Sequence, residues 1–214
     1  MSDYGYSLDS TSAKNAENIG KFIRETGKYK GQFLRAELLI STGKGSRGIE
    51  FDFIADSKEC TTQIWTHSKE GEPYSGNNMV SAIMACLSLR GMKPVEMVCS
   101  KYDYDLKKKV DKKIMAFPDL MNKPIGLLLQ KEISEYNGDE KTKMLVFAAF
   151  DSKTEKTATE IIDRVAQPSA LSRLVSILAD KDSRKPHEQV QTNHNKPVPN
   201  GGHFSADLDD DLPF

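Results

Sequence analysis

The sequence predicts a mainly β domain, a small barrel of five strands with one helix between the third and the fourth. Three observations predict it. Between residues 30 and 67 apolar and polar side chains alternate with a period of two, interrupted by glycine turns. A single stretch of helical period follows, on Val80, Ile83, Met84 and Leu87. Two further β-type runs, 124–133 and 143–150, come after it. Strand, strand, strand, helix, strand, strand is the order of a five-stranded OB barrel.

Each element has its own warrant. In 30–40, Leu34, Ala36, Leu38 and Ile40 alternate with Phe33, Arg35 and Glu37. The first set is read as facing the barrel and the second as facing outward. Gly43-Lys44-Gly45-Ser46 forms a turn. Ile49, Phe51 and Phe53 then alternate with Glu50 and Asp52, and their face is assigned to the core. Residues 61–67 make the third strand, with Trp65, Gln63 and His67 opposite Thr62, Ile64 and Thr66. Gly71-Glu72-Pro73 breaks it. Asn77 or Asn78 is placed as the cap of the helix, and Gly91 as its C-terminal glycine. Residues 95–117 lie outside the five-strand plan and read as an added hairpin. Pro168 opens a C-terminal helix whose Leu171, Leu174, Val175 and Leu178 form one stripe, closing the domain near 181. Ile19, Phe22 and Ile23, with Gly27 behind, suggest a short leading helix.

The chain of 214 residues is 38% hydrophobic and 29% charged, with mean hydropathy −0.53. An ordinary globular domain is about 45–50% apolar, so part of the chain is expected to be solvated. No run approaches the roughly 18 apolar residues of a membrane span, and the opening residues lack a signal-peptide core. Cys60, Cys86 and Cys99 include no CxxC and no clustered histidine, so reduced thiols in a cytoplasmic protein of a bacterial host are expected rather than disulfides or zinc. The net charge is −1. A nucleic-acid role must therefore come from segregated charge.

The charge is segregated. Residues 101–113 hold six lysines and three aspartates, whereas 207–214 hold four acids and no base. Between 182 and 206 lie three prolines, two adjacent glycines and three apolar side chains larger than alanine. Such a segment cannot offset its ordering entropy and reads as a disordered linker. The expected organisation is an N-terminal extension (1–26), a folded domain (27–181), a linker (182–206) and an acidic tip (207–214). In the tip, Asp209, Asp210 and Asp211 supply attraction to a basic rim. Leu212 and Pro213 widen the apolar contact, and Phe214 is an aromatic anchor with a terminal carboxylate. The plainer reading is a solubilising tail.

This ending resembles the C-terminal tip of bacterial single-stranded DNA-binding proteins, several aspartates followed by Ile-Pro-Phe, with Leu212 here in place of the isoleucine. The body is more similar to the bacteriophage and prophage single-stranded DNA-binding proteins. Gly27-Lys28-Tyr29-Lys30-Gly31, Ser46-Arg47-Gly48-Ile49-Glu50-Phe51, Ile64-Trp65 and Lys69-Glu70-Gly71-Glu72 carry that likeness. The resemblance implies an OB fold, no catalytic activity and a role in phage replication or recombination. It also implies that the tip recruits replication, repair or recombination enzymes, such as an exonuclease, recombinase, helicase, polymerase or primase, and can fold back on the DNA-binding surface.

Binding single strands without sequence preference needs cations for phosphates and flat side chains for bases. Tyr29, Phe33 and Arg35 are candidates on the first strand, with contact to the N-terminal segment as the alternative. Trp65 is either a stacking residue or a covered residue at the core edge. Lys44 and Arg47 flank the turn between the first two strands, a loop that OB folds use for nucleic acid. Lys101, Tyr102, Tyr104, Lys107, Lys108, Lys109, Lys112 and Lys113 make the hairpin a candidate DNA-covering finger; an ordinary solvated hairpin is the alternative.

No enzyme motif competes. Gly43-Lys44-Gly45-Ser46 lacks the spacing and the strand-to-helix setting of a phosphate loop. Asp103, Asp105 and Asp111 sit among lysines, and His187, His194 and His203 fall in the linker, so no metal and no cofactor is expected. The expected function is sequence-independent binding of single-stranded DNA in phage replication or recombination, with partner enzymes recruited through the tip. Two other readings keep the tip: an adaptor or inhibitor of host replication and repair enzymes, and a strand-annealing recombination mediator. An edge strand could also pair two chains into a homo-oligomer.

Overall fold

A computed structural model describes residues 7, 8, 20–103 and 105–184 of the chain. The expected partner-binding tip (Asp209, Asp210, Asp211, Leu212, Pro213, Phe214), the linker beyond Arg184, Tyr104 and Ile19 lie outside the described residues.

The fold is built around β1 (Gly27–Ile40), a strand long enough to serve several partners. Its N-terminal half pairs with β6 (Pro124–Tyr136), from Gly27↔Leu129 to Gln32↔Pro124. From Gln32 to Ile40 it pairs with β2 (Arg47–Ala55). The register slips between Phe33 and Arg35: Phe33 faces Phe53 and Arg35 faces Asp52, which leaves Leu34 as the extra residue of a bulge. A strand passed from one partner to another must bend, and a bulge supplies the bend. The bulge also corrects the expected phase. Phe33 does not face outward: it is fully buried, its ring 4.5 Å from Phe51 and 5.8 Å from Phe53. Ala36 is buried as expected, whereas Ile40 is 63% exposed.

β2 runs into β3 (Lys58–His67) through Asp56-Ser57, both with positive φ, the signature of a two-residue hairpin turn. Both strands keep the alternation read from the sequence. Ile49, Phe51 and Phe53 meet Cys60 and Ile64 in the core. Helix α1 (Ser75–Cys86) packs against β3 and β7 (Asp139–Phe150). Gly76 permits this approach, because a Cβ there would stand 2.2 Å from the Trp65 carbonyl oxygen. The expected caps are corrected. Asn77 and Asn78 lie inside the helix, which starts at Tyr74 with no side-chain cap. The helix ends at Leu87, and Ser88, with φ 56°, takes the left-handed position expected of Gly91. The amides of Ser88 and Leu89 then bond back to Ala85 and Met84, which satisfies the last carbonyls.

The predicted hairpin is present as β4 (Val95–Asp103) and β5 (Lys108–Ala116), and β5 pairs with β1 at Glu37↔Ala116. A short 3-10 turn (Pro118–Leu120) leads to β6, and the left-handed pair Asn137-Gly138 turns β6 into β7. Helix α2 (Ala158–Ile162), not foreseen from the sequence, is held by a capping box between Thr157 and Glu160. Helix α3 (Ala170–Ile177) follows, with Leu171 buried against Leu128 and Phe150. Leu174 and Leu178 pack beside them, but Val175 is 40% exposed, so the stripe is narrower than expected. β8 (Lys181–Asp182) adds in parallel to β6. The described part of the leading segment is not helical: Phe22 forms a parallel bridge with Glu59 instead.

The described strands form one mainly antiparallel sheet in which β3, β2, β1, β6 and β7 follow one another. No ladder joins β3 to β7 among the described residues, so the sheet is open there. The Thr62 hydroxyl crosses that gap to donate to the Met144 carbonyl at 2.9 Å. Among the described residues, no helix is long and apolar enough to cross a membrane.

Candidate nucleic-acid interface

One face of β1, β2 and β3 lines the core; the other carries the charges. Arg35 stands at the centre of the outer face, buried although charged. Its Nε and one terminal nitrogen donate to Asp52 at 2.7 and 3.0 Å, and the same nitrogen donates to Glu50 at 2.7 Å. Its other terminal nitrogen donates to Glu37. Burial opposes the Arg35 charge, but the Asp52 and Glu50 carboxylates outweigh it and its pKa is raised. Burial likewise opposes the Glu50 charge, and hydrogen bonds from Gln63 and Arg35 outweigh it, so its pKa is lowered. Arg35 therefore is not an open phosphate contact; its donors are spent on three carboxylates.

The hairpin lies over this half of the face and is fastened by charge. Lys101 reaches Glu37 at 2.7 Å and Glu50 at 3.5 Å, and Lys109 reaches Glu59 at 2.6 Å. Lys112 pairs with Asp103 at 2.7 Å within the hairpin, and Lys113 with Glu96 at 3.8 Å. The Lys112 contact lowers the Asp103 pKa and raises that of Lys112. A cleft of about 340 Å³ remains between hairpin and sheet, lined by Tyr102, Lys101 and Asp105 on one side and by Asp52 and Thr61 on the other. Of the six lysines, Lys107 and Lys108 make no ion pair among the described residues.

The other half of the face is open. Trp65 points outward from β3 and is 37% exposed, with Ile64 and Thr66 buried behind it. Its ring lies close over Gly48, where a Cβ would meet it at 3.1 Å. At the same end of the sheet Arg47 starts β2 with its guanidinium near Gly71, Lys44 lies in the β1–β2 turn, and Lys69, in the loop after β3, packs its stem on Gly45. None of these three cations makes an ion pair among the described residues. An exposed aromatic and unpaired cations at one end of a sheet are the groups that stack a base and hold phosphates.

The expected candidates thus divide. Lys44, Arg47 and Trp65 come together at the open end. Arg35, Lys101, Tyr102, Lys109 and Lys112 come together beneath or within the hairpin, in a mostly paired network. Phe33 belongs to the core. Tyr29 is half-buried, and its hydroxyl donates to the Glu25 carbonyl at 2.8 Å; burial, then Glu25, raises its pKa. Sequence reasoning missed Lys69, the glycine under the indole and the carboxylates of Glu37, Glu50 and Asp52. Those acids alternate outward along two adjacent strands, a pattern visible in the sequence, but the bulge hides their convergence on Arg35.

The three cysteines are free and buried. Burial pushes the Cys60 and Cys86 thiols up to about 12, which suits inert core residues. No group of three or more histidine, cysteine or acidic side chains placed to hold a metal occurs among the described residues. The chain matches no protein-family model, no curated protein and no solved structure.

Proposed function

We propose that this protein binds single-stranded DNA without sequence preference, on the outer face of β2 and β3, during DNA replication, recombination or repair in a phage-infected cell. The observation that carries the reading is the exposed Trp65 indole, close against Gly48, at the end of the sheet where Arg47, Lys44 and Lys69 make no ion pair among the described residues. Strand order supports it. The order β1, β2, β3, helix, β6 and β7, with neighbours β3-β2-β1-β6-β7, is compatible with a five-stranded OB barrel that carries its hairpin between the helix and the fourth strand, with the closing β3–β7 ladder absent among the described residues. Such barrels take nucleic acid on this face and on the turn that carries Lys44.

The chemistry is non-covalent. Phosphates displace counterions from the cations, which makes affinity fall with salt, and the indole accepts any base because every base has a π-face. The acidic tip then recruits partner enzymes, as its likeness to the bacterial tip suggests. Being anionic and tethered, it also competes with DNA for the same cations.

Gel shift of the full chain tests the reading, with oligo(dT) against duplex of equal length. Retention of single strands that weakens with salt, and little retention of duplex, is expected. Removal of residues 207–214 leaves that binding intact or stronger and abolishes partner recruitment. No retention of single strands overturns the reading and leaves an adaptor that acts through its tip alone. Faster pairing of complementary strands than bare DNA shows would identify an annealing mediator.

A further inference from the structure

The gap between β3 and β7 is bridged by the segment before β1. The Ile23 amide donates to the Glu59 carbonyl at 2.9 Å, and the Glu59 amide to the Lys21 carbonyl at 2.8 Å, so the segment extends the free edge of β3. It then crosses to β6, where the Lys131 amide donates to the Thr26 hydroxyl at 2.8 Å. Ile23 is buried by this crossing; Phe22 is not, and remains 51% exposed. The Arg24 guanidinium lies 5.7 Å from the Phe22 ring centroid.

Phe22 and Arg24 open onto a cleft of about 740 Å³, lined also by Thr61, Lys131, Lys143 and Glu59. Its charges sort simply. Glu59 is neutralised by Lys109 at 2.6 Å, and Lys143 by Glu132 at 2.8 Å. Arg24 and Lys131 make no ion pair among the described residues, against one such acid in the cleft, Glu25. An exposed aromatic, a guanidinium over it and an open ammonium nearby are the groups that take a nucleotide: a plane for the base, cations for the phosphate. Thr61 joins this cleft to the Trp65 face. Thr61, Gln63 and Trp65 are alternate residues on the outer side of β3; Phe22 stands level with Glu59, six residues from Trp65, so the two aromatic positions lie about 20 Å apart at strand rise.

We infer that the Phe22–Arg24 cleft is a second nucleotide site, filled by a nucleotide of the same DNA strand that stacks on Trp65. The inference rests on the proposed function and extends its path along β3. The leading segment is then part of the binding surface as well as a seam across the sheet.

The test uses the full chain and three probes: a long oligo(dT), a thymidine dinucleotide and thymidine monophosphate. Binding is followed by gel shift and by Trp65 fluorescence. Phe22→Leu keeps the apolar contact and removes the ring; a urea midpoint equal to that of the wild type verifies its fold. Loss of one stacked base predicts about tenfold weaker binding of the long strand by Phe22→Leu. The double variant Arg24→Ala, Lys131→Ala lowers the salt slope by about 1.4, at roughly 0.7 per phosphate on a single strand. Dinucleotide quenching of Trp65 stays unchanged in both. Wild-type affinity and slope in the variants, with the wild type itself binding, overturn the second site and leave the Trp65 site standing. Binding of the monophosphate that Phe22→Leu abolishes, with the long strand unaffected, overturns the assignment to the same strand. No strand binding by the wild type overturns the proposed function, and this site with it.

Discussion

Replacing Arg35 exposes the largest difference between a charge that binds and a charge that holds the fold. The Arg35 side chain is 3% exposed, and the carboxylates of Glu37, Glu50 and Asp52 around it are 12–16% exposed. Breaking a buried ion set by removing one partner costs about 3–5 kcal/mol, because the others are left uncompensated. Lys101, at 2.7 Å from Glu37 and 3.5 Å from Glu50, remains to offset part of that loss. Arg35→Met, which keeps the aliphatic stem, is therefore expected at the lower end, about 3 kcal/mol. At about 2–4 °C per kcal/mol for a domain of this size, the melting midpoint drops by roughly 6–12 °C. The sign with pH is fixed as well. The Glu50 pKa is lowered in the wild type, so its contribution is present above the unfolded pKa and is lost as pH falls through the folded value. In the variant the facing carboxylates repel, and protonation relieves them. Urea unfolding at neutral and acidic pH should show the two proteins converging in acid. The salt slope of DNA binding should stay that of the wild type. A loss under about 1 kcal/mol, a gap that persists in acid, or a slope lowered by about 0.7 refutes the assignment of Arg35 to the fold.

Three other outcomes follow from the same geometry. Gly48→Ala places a Cβ 2.7 Å from the Ile64 carbonyl oxygen and 3.1 Å from the indole, so Trp65 must shift; its fluorescence should change and strand affinity fall, and an unchanged spectrum contradicts the close approach of the indole to Gly48. Lys108→Ala should lower the salt slope of strand binding more than Lys112→Ala does, since Lys112 is already held by Asp103; equal effects would mean that DNA breaks that pair. Glu132, held at about 2 by Lys143 and Lys181, and Glu160, held at about 2 by the amides of Ala170, Thr157 and Ser169, have folded pKa values below the ordinary 4.5. Their contribution is complete above 4.5 and is lost as pH falls toward 2. The urea midpoint should fall across that window, and Glu160→Gln should flatten the fall.

Period-two alternation made β2 and β3 legible, because each has one face in the core from end to end. The helix at Val80 was legible for the same reason, a single face; β6 and β7 were legible instead as continuous apolar runs, because Leu127 and Leu129 face the main core while Leu128 and Phe150 are covered by α3. β1 was not. Its alternation changes phase at Leu34, and nothing local in Phe33-Leu34-Arg35 marks a bulge that exists because two partners meet there. That one residue moved Phe33 from the expected binding face into the core and left Arg35 on the outer face, as expected. Helix ends were misplaced for a different reason. Asn and Gly are favoured caps, but Gly76 had to lie against the Trp65 carbonyl, and that contact, not capping, fixes where the helix begins. Helix α2 is five residues long, too short for a periodic stripe, although Thr157 and Glu160 carried its capping signature. The outward position of Trp65 was readable from its polar neighbours on β3, and that of Arg47 from its place beside the glycine turn. Ion pairing of the hairpin lysines was not, since Glu37, Glu50 and Glu59 are distant in sequence and meet them only through the fold.

Fluorescence of Trp65, the only tryptophan in the chain, tests the central claim most directly. The full chain is titrated with oligo(dT), then with duplex, then with oligo(dT) at rising salt, each beside a gel shift. The account predicts quenching that saturates with single strands, is absent with duplex and weakens as salt rises. Retention of single strands with an unmoved indole moves the binding site off the face of β3. No retention and no quenching contradicts the claim that this protein holds DNA at all.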